Sequence, residues 1–442
     1  MEGALLDKLR GIVGSQHVLT GADLGPYVVE GRTPECAVFP GSTEEVRGIV
    51  EAAAGAGIPV VPWGGGTAVG VGTPLAAARP GVVVGLGRLG GLLEHEPGDL
   101  TATVQAGITM AALQAALRER GQWLSLDPPD ADRATIGGVV AANAAGPRRH
   151  LYGTARDLLI GVTVVTAEGA VVRGGGKVVK NVAGYDVPRL FIGSWGTLGI
   201  LVEVTVKLRP LPDAERLVAV RFERLKDAGA AARTVMGSDL IPNALELLDA
   251  EAARTLGPTA AGGAALVVGF DGFADQIAWQ CAELERLVGP LGGHGPETLA
   301  ADTWARLARA PLDAHPRPAA VMKLGVLPAA VAETLEQGAG AARQRGLVSA
   351  WGAHAGAGVA TAALFTPGEP PEIAPIAAVL EDWRALARAG GGHAVLEWAP
   401  LAVKAQVPVW DDAGAAGRVM QRIKAQLDPH NILNPGRFVA GI

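Results

Sequence analysis

The stretch Lys177–Val202, KVVKNVAGYDVPRLFIGSWGTLGILV, constrains this chain more than any other. Glycines at 184, 193, 196 and 199 interrupt runs of aliphatic and β-branched residues. A glycine in a helix interior costs about 1 kcal/mol relative to alanine. In a strand, a glycine marks a bend or a close backbone approach. The stretch therefore reads neither as an ordinary core helix nor as an ordinary strand. Glycines this dense, beside residues that prefer burial, imply a backbone pressed against something large and flat. That predicts the wall of a cofactor site.

At 442 residues the chain is too long for one core, so two or three domains are expected. Hydrophobic residues make up 49 % and charged residues 19 %, the balance of a folded globular protein. The formal charge of −6 comes with no basic block beyond Arg148-Arg149-His150, which argues against a nucleic-acid partner. No apolar run reaches membrane-spanning length, and Met1–Gly11 lacks the apolar core of a signal peptide. A cytoplasmic protein is expected, one that could still sit peripherally at a membrane through a partner. Cys36 and Cys281 are too few to hold an iron–sulfur cluster or a Cys-rich zinc site, and both read as inert buried thiols.

In chain order, residues 1–34 form a short helix and a connector, and Cys36–Phe39 a strand. Ser42 caps a helix over Val46–Ala56 with Glu44 and Glu45 in its first turn, and Ile58–Val61 is the next strand. Pro62–Gly70 follows, with glycines at 64, 65 and 66 and then Thr67 and Ala68. Several unhindered backbone N–H groups in one loop make a nest for phosphate oxygens, although a plain glycine turn reads equally well from these residues alone. Gly85–Gly90 satisfies G-x-G-x-x-G, but Pro97-Gly98 soon ends the segment and Met110 stands where an acidic residue is needed, so a Rossmann reading fails. Gly174–Lys177 fails as a P-loop because Val178 stands where Ser or Thr is required. Ala134–Gly146 presents a small-residue surface with Thr135 and Asn143 as its polar members; a flat ring or a tightly packed helix start would both suit it. Strands over Leu158–Thr166 and Val202–Leu208 close this part. Residues 213–400 alternate strand-like segments with alanine-rich helices, and Ala413–Leu427 is a helix leading into Asp428–Phe438.

Taken together, Pro62–Gly70, Thr135–Arg173 with Lys180–Ile200, and Asp428–Phe438 resemble one family, the FAD-linked oxidases of the vanillyl-alcohol oxidase type. The Y-G-x-x-R-D run at Tyr152–Asp157, G-Y-D at Gly184–Asp186, G-T-L-G-I at Gly196–Ile200 and the D-P-x-x-I-L-N-P-G tail occur in family order. Within the family, Lys180–Asp186 and Gly391–Ala394 look most like the E-type flavin subunits of bacterial glycolate oxidases. The resemblance implies an α+β architecture: a two-subdomain PCMH-type FAD-binding domain over 35–212, a cap domain over 213–400, and a segment over 401–442 returning to the flavin. It implies that Gly64, Gly65, Gly66, Thr67 and Ala68 wrap the FAD pyrophosphate. Thr135, Gly138, Ala142, Asn143 and Gly146 would line the flavin, with Pro128 and Tyr152 also in the cofactor-binding set. Gly199 and Ile200 would meet the adenine half and Asn434 the isoalloxazine. No histidine lies in the phosphate loop where covalent members attach flavin, so FAD is expected to be non-covalent. The implied partners are a homologous flavin subunit, a cysteine-rich iron–sulfur subunit and a small 2-hydroxy acid substrate.

The chain also departs from the family. A metal-binding H-x-G-D-G-N-x-H motif is replaced by His354 to Thr361, with Ala357, Val359 and Thr361 at the acid, amide and second-histidine positions. Two histidines and a carboxylate are needed for such a site, so no metal is expected and His354 reads as a structural remnant. His393 is a weak catalytic candidate as a base, and Glu397 and Lys404 read equally as substrate-facing or surface charges. Trp195 stands at the motif glutamate. The sequence thus predicts a flavin subunit oxidising glycolate or a related 2-hydroxy acid. A non-catalytic flavin-fold partner, or a stand-alone oxidase for another alcohol, remains the alternative.

Overall fold

The computed structural model describes residues 3–76, 80–176, 186–257, 262–368 and 372–442. The first half of the opening glycine-dense stretch, Lys177–Tyr185, lies outside the described residues. The chain forms two compact units. One comprises Met1–Ala145, Thr154–Leu211 and Asp412–Ile442; the other comprises Gly146–Gly153 and Pro212–Asp411. Among the described residues no helix is long and apolar enough to cross a membrane.

Among the described residues the first unit holds two main sheets with separate cores, besides a short pairing of Gln122–Trp123 with Arg209–Pro210. Strands β1 (Val18–Leu19), β2 (Cys36–Val38), β3 (Val60–Trp63) and β4 (Val82–Gly85) line up in the order β1-β2-β4-β3, and β2, β4 and β3 run parallel. The crossover between β2 and β3 is the helix Thr43–Gly55, capped as expected: the Ser42 side chain accepts from the Glu45 amide, and Gly57 ends the turn at φ 62°. Val46, Ile49, Val50 and Ala53 pack this helix onto Cys36, Val38, Val82 and Val84. After β4 the chain makes a 3₁₀ turn over Leu86–Arg88, not an α-helix, which removes the Rossmann reading on geometric grounds.

The second sheet is antiparallel. Strands β5 (Leu92–Glu96), β6 (Thr101–Gln105), β7 (Leu159–Val165), β8 (Val171–Gly175) and β9 (Ile200–Lys207) take the order β5-β6-β9-β7-β8. Helix Met110–Arg118 buries Met110, Leu113 and Leu117 against it, and helix Ile136–Ala142 joins the same core through Ile136, Val139 and Val140. Strand β9 serves both cores: Val204 and Val206 pack in this one, while Ile200 and Val202 pack with the parallel sheet.

The second unit is an eight-stranded antiparallel sheet. Its strands are β10 (Ala214–Phe222), β11 (Ala244–Leu248), β12 (Ala264–Gly272), β13 (His294–Thr298), β14 (Ala320–Gly325), β15 (Val348–His354), β16 (Val359–Phe365) and β17 (His393–Trp398). They take the order β13-β10-β12-β11-β15-β16-β14-β17. Helices Leu225–Met236, Ala274–Val288, Val331–Gln344 and Ile373–Ala389 cover one face, where Trp351 and Trp383 meet edge to face at 4.7 Å. Strands β13 and β15 escape the sequence reading, because His294–Thr298 carries Gly and Pro and the run around Trp351 has no polar alternation.

Candidate functional site: a glycine-walled cleft in the first unit

The loop leaving β3 forms one wall of a cleft. Gly64, Gly65, Gly66, Thr67, Ala68 and Val69 line it, together with Thr135, Gly138, Ala142, Trp195, Gly199 and Asn434. The cleft measures about 880 Å³ including the part open to solvent. Local packing explains the glycines. A Cβ at Gly64 would strike the Thr135 hydroxyl, one at Gly65 the carbonyl of Arg133, and one at Gly66, held at φ +69°, would stand 2.6 Å from the Trp63 ring. The loop thus lies flat on the Arg133–Thr135 segment. Its backbone stays open on the other side: among the described residues, no protein acceptor takes the N–H groups of Gly64 to Ala68. Unpaired backbone donors carry a desolvation cost unless water or a ligand meets them. Five in a row make an anion-binding concavity.

The opposite wall comes from helix Ile136–Ala142 and the latter half of the glycine-dense stretch. Thr135 caps the helix by accepting from the Gly138 amide at 3.3 Å. Asn143 ends it in the left-handed region at φ 48°. The Gly193 and Trp195 amides then bond to the carbonyls of Val140 and Ala141, so the glycine stretch is stitched to the end of that helix. Trp195 itself sits at φ 55°, a conformation in which non-glycine residues are uncommon.

The third wall is the tail. The Val60 amide donates to the Ile432 carbonyl and the Asn434 amide to the Val60 carbonyl, so the tail adds beside β3. A buried lysine fixes it: Lys424 donates to the carbonyls of Thr197 and Leu433 at 2.8 Å each and pairs with Asp428 at 2.5 Å. Asp428 in turn accepts from the amides of Ile432 and Leu433. Burial pulls the Lys424 ammonium below its ordinary pKa, opposed by the bond and charge of Asp428. Arg437, buried at 6 % side-chain exposure, donates to the carbonyls of Val69 and Val71 and pairs with Glu30 at 3.6 Å. Its guanidinium thereby ties the tail to the residues that follow the nest, and Arg437 itself lines the cleft.

Two family models match, one described as an FAD binding domain over residues 34–175 and one as FAD linked oxidases, C-terminal domain, over residues 211–438. The second spans more than half of the sequence. The chain belongs to the FAD-linked oxidases. It is 37 % identical over 216 residues to glycolate oxidase subunit GlcD of Bacillus subtilis, covering 49 % of this chain and 46 % of that one. Against glycolate oxidase subunit GlcE of Escherichia coli it is 43 % identical over 125 residues, 28 % of this chain and 36 % of that one. The chain thus spans less than half the length of these relatives. In fold it matches p-cresol methylhydroxylase with TM-score 0.79 over 100 % of this chain and 98 % of the other, at 18 % identity. The α+β, PCMH-type architecture expected from sequence is the one found, and FAD is the cofactor of this family of oxidoreductases.

The open nest and the buried carboxamide oxygen of Asn434, which has no hydrogen-bond partner, are features that a bound dinucleotide would satisfy. Ten of the fifteen residues expected to bind FAD line the cleft: Gly64, Gly65, Gly66, Thr67, Ala68, Thr135, Gly138, Ala142, Gly199 and Asn434. Pro128, Asn143 and Ile200 belong to the first unit but do not line it; the Ile200 side chain is spent in the core and Asn143 is exposed. Gly146 and Tyr152 belong to the second unit, where the Tyr152 hydroxyl donates to Asp271 at 2.6 Å. Sequence reasoning missed Trp63, Trp195 and Arg437 as lining residues. Each lies inside a stretch already singled out, Pro62–Gly70, Lys180–Ile200 or Asp428–Phe438, so membership of that stretch was the available signal.

In the second unit His354 is bound to a buried carboxylate, Glu246, at 2.7 Å. Strand pairing places Glu246 directly opposite His354, a relation invisible in the sequence. Burial raises the Glu246 pKa, and His354 and Arg149 oppose that rise. Burial, and then the charge of His354, lower the pKa of His150. Among the described residues no group of three or more His, Cys, Asp or Glu side chains is placed to hold a metal ion. His393 is exposed at the start of β17, Glu397 pairs with Lys323 at 2.5 Å, and Lys404 is buried. Cys36 is buried and its thiol pushed up to about 12, chiefly by burial, which makes it inert. The expectation of a buried thiol fails at Cys281, which is only half-buried and lies 3.8 Å from an Arg216 nitrogen.

Proposed function

We propose that this chain is an FAD-dependent subunit that oxidises glycolate or a related small 2-hydroxy acid to the 2-oxo acid. Electrons would pass on through a separate cysteine-rich iron–sulfur subunit, with a homologous flavin subunit in the same complex. The observation that carries the flavin part is the open nest at Gly64–Ala68 facing Asn434 across one cleft. The substrate class rests on relatives named as glycolate oxidase subunits and D-lactate dehydrogenase.

In this reading the five N–H groups of Gly64–Ala68 hold the pyrophosphate oxygens, and Arg437 keeps the loop in shape by tying Val69 and Val71 together. Thr135, Gly138 and Ala142 present a wall without side-chain bulk, which lets a ring lie close to the backbone. The loop Pro62–Gly70 contains no histidine, and FAD dissociates reversibly. Bound FAD supplies the two-electron acceptor. Oxidation removes the α-hydrogen with both electrons of its bond and releases the hydroxyl proton, leaving a carbonyl at that carbon.

A second reading has its own observation. The residues at 357, 359 and 361 are Ala, Val and Thr, and His354 is already engaged by Glu246. A chain so arranged would hold FAD in support of a catalytic partner subunit. One experiment separates the two: purify the chain, record its visible spectrum, then add glycolate or D-lactate anaerobically. Bleaching of a yellow protein supports turnover by this chain. Yellow colour that no 2-hydroxy acid bleaches favours the supporting role, and a chain that stays colourless with added FAD overturns both. Co-purification with a cysteine-rich subunit tests the complex.

A further inference from the structure

The turn Val29–Arg32 lies ahead of residue 34, where the match to the FAD binding domain begins. The Val29 amide donates to the Arg32 carbonyl at 3.0 Å, and the Arg32 amide to the Val29 carbonyl at 2.9 Å. Glu30 and Gly31 form its centre, both left-handed, at φ 51° and φ 75°. Glycine takes that conformation freely, whereas a glutamate seldom does. Val29 is fully buried, so the turn is packed in place, and the Glu30 side chain is only 5 % exposed.

Two arms reach from this turn to the chain that follows the glycine loop. Arg32 donates directly to the Leu75 carbonyl at 3.1 Å. Glu30 works through Arg437. One guanidinium nitrogen, Nη1, faces the Glu30 carboxylate at 3.6 Å, and the other, Nη2, donates to the carbonyls of Val69 and Val71. A guanidinium is a rigid planar fork, so fixing one end aims the other. The Val71 amide donates back to the Ala68 carbonyl at 3.1 Å, which carries the constraint to the last residue of the nest. A cation this deeply buried is costly without an opposite charge beside it. Burial pulls the Arg437 guanidinium below its ordinary pKa, and the Glu30 charge opposes that fall. Glu30 itself does not line the cleft.

We propose that Glu30 is a positioning residue for FAD: it orients the Arg437 fork, and the fork sets the exit of the Gly64–Ala68 loop that receives the pyrophosphate. The proposal rests on the FAD reading above. It gives the connector before the FAD binding domain a part in cofactor affinity, exerted through Arg437 and not by contact.

The test is a calorimetric titration of the apo chain with FAD, well below its melting temperature. The chains compared are wild type, Glu30→Gln, Arg437→Met and the double variant. Glu30→Gln keeps the side-chain shape and removes the charge, and it should bind FAD about tenfold more weakly than wild type. Beside Arg437→Met the same substitution should have no further effect, because the group it orients is gone. Leu9→Ala serves as the control for stability alone. Leu9 is buried in the core of the parallel sheet and does not line the cleft, so this variant should melt lower and bind FAD as wild type does. The proposal is overturned if Glu30→Gln binds FAD as tightly as wild type or more tightly, or if its penalty is as large beside Arg437→Met. It is also overturned if Leu9→Ala loses as much affinity, since FAD binding would then follow stability. Should Glu30→Gln fail to fold, Glu30→Asp draws the carboxylate back by one methylene, and wild-type affinity in that variant overturns the proposal equally. A wild-type chain that binds no FAD would sink the functional reading itself, whereas FAD binding indifferent to residue 30 sinks only the role of Glu30.

Discussion

At the residue scale, the cleft depends on positions where one added atom matters. Gly65→Ala would place a methyl group against the Arg133 carbonyl, which is backbone and cannot swing aside. Overpacking of that kind costs about 1–3 kcal/mol, so the variant should melt several degrees lower and lose FAD on a desalting column. Retained FAD with an unchanged melting temperature would show that the loop relaxes. Asp249 offers a pH test in the second unit. Its carboxylate accepts from the Ala252 amide at 2.9 Å, yet burial pushes its pKa up from 3.8 to about 6. A raised folded-state pKa stabilises the fold below about pH 4, and that stabilisation is lost as pH rises through about 6. Asp249→Asn keeps the cap and removes the titration. Its stability relative to wild type should therefore improve between pH 4 and pH 8, by about 3 kcal/mol at most. A difference that does not change with pH contradicts the assignment. The glycine cluster is visible in sequence because the loop is local, although its residues alone read equally as a plain turn. The Glu246–His354 bond is not, because it joins residues 108 apart.

At the scale of elements, the tail decides whether the cleft has a third wall. Lys424 is buried, donates to two carbonyls and pairs with Asp428. Breaking a buried pair by removing one partner costs about 3–5 kcal/mol, since the other charge stays behind. Lys424→Met should accordingly destabilise the first unit, free the tail for tryptic cleavage after Arg437, and weaken FAD binding together with it. Tail protection equal to wild type under limited trypsin digestion would contradict this. The Asp428–Phe438 motif was conspicuous in the sequence, but the sequence did not say which strand it joins. Pairing of Val60 with Leu433 bridges most of the chain length, and no periodicity reports such a contact. Helix Thr43–Gly55 shows the opposite case: Ser42, Glu44, Glu45 and Gly57 spelled out its ends, since capping acts within one turn.

At the scale of the whole molecule, the cofactor should stabilise what it touches. Ligand at a hundred times its Kd adds about 2.7 kcal/mol to the state that binds it. Hydrogen exchange with and without FAD should show new protection at residues 63–69, 135–142, 195–201 and 433–437, the segments lining the cleft. Protection confined to the second unit would overturn the location of the site. The sequence by itself determined where the glycine loop, the helix caps and the turns lie, because these are set by short-range sterics and hydrogen bonding, and the order of its motifs resembled the FAD-linked oxidases closely enough to imply the α+β flavoprotein fold. It also determined that Gly85–Gly90 opens no Rossmann helix, since Pro97-Gly98 lies too close. Only the tertiary structure decided that Arg437 and the Asn434 carboxamide turn toward the nest, that Ile200 is spent in the core, and that Glu246 occupies His354. These relations depend on which strand lies beside which, and that is fixed by collective burial of side chains far apart in the chain. The glycine-dense stretch Lys177–Val202 is, in its described half, a wall stitched to helix Ile136–Ala142 and closed by the tail.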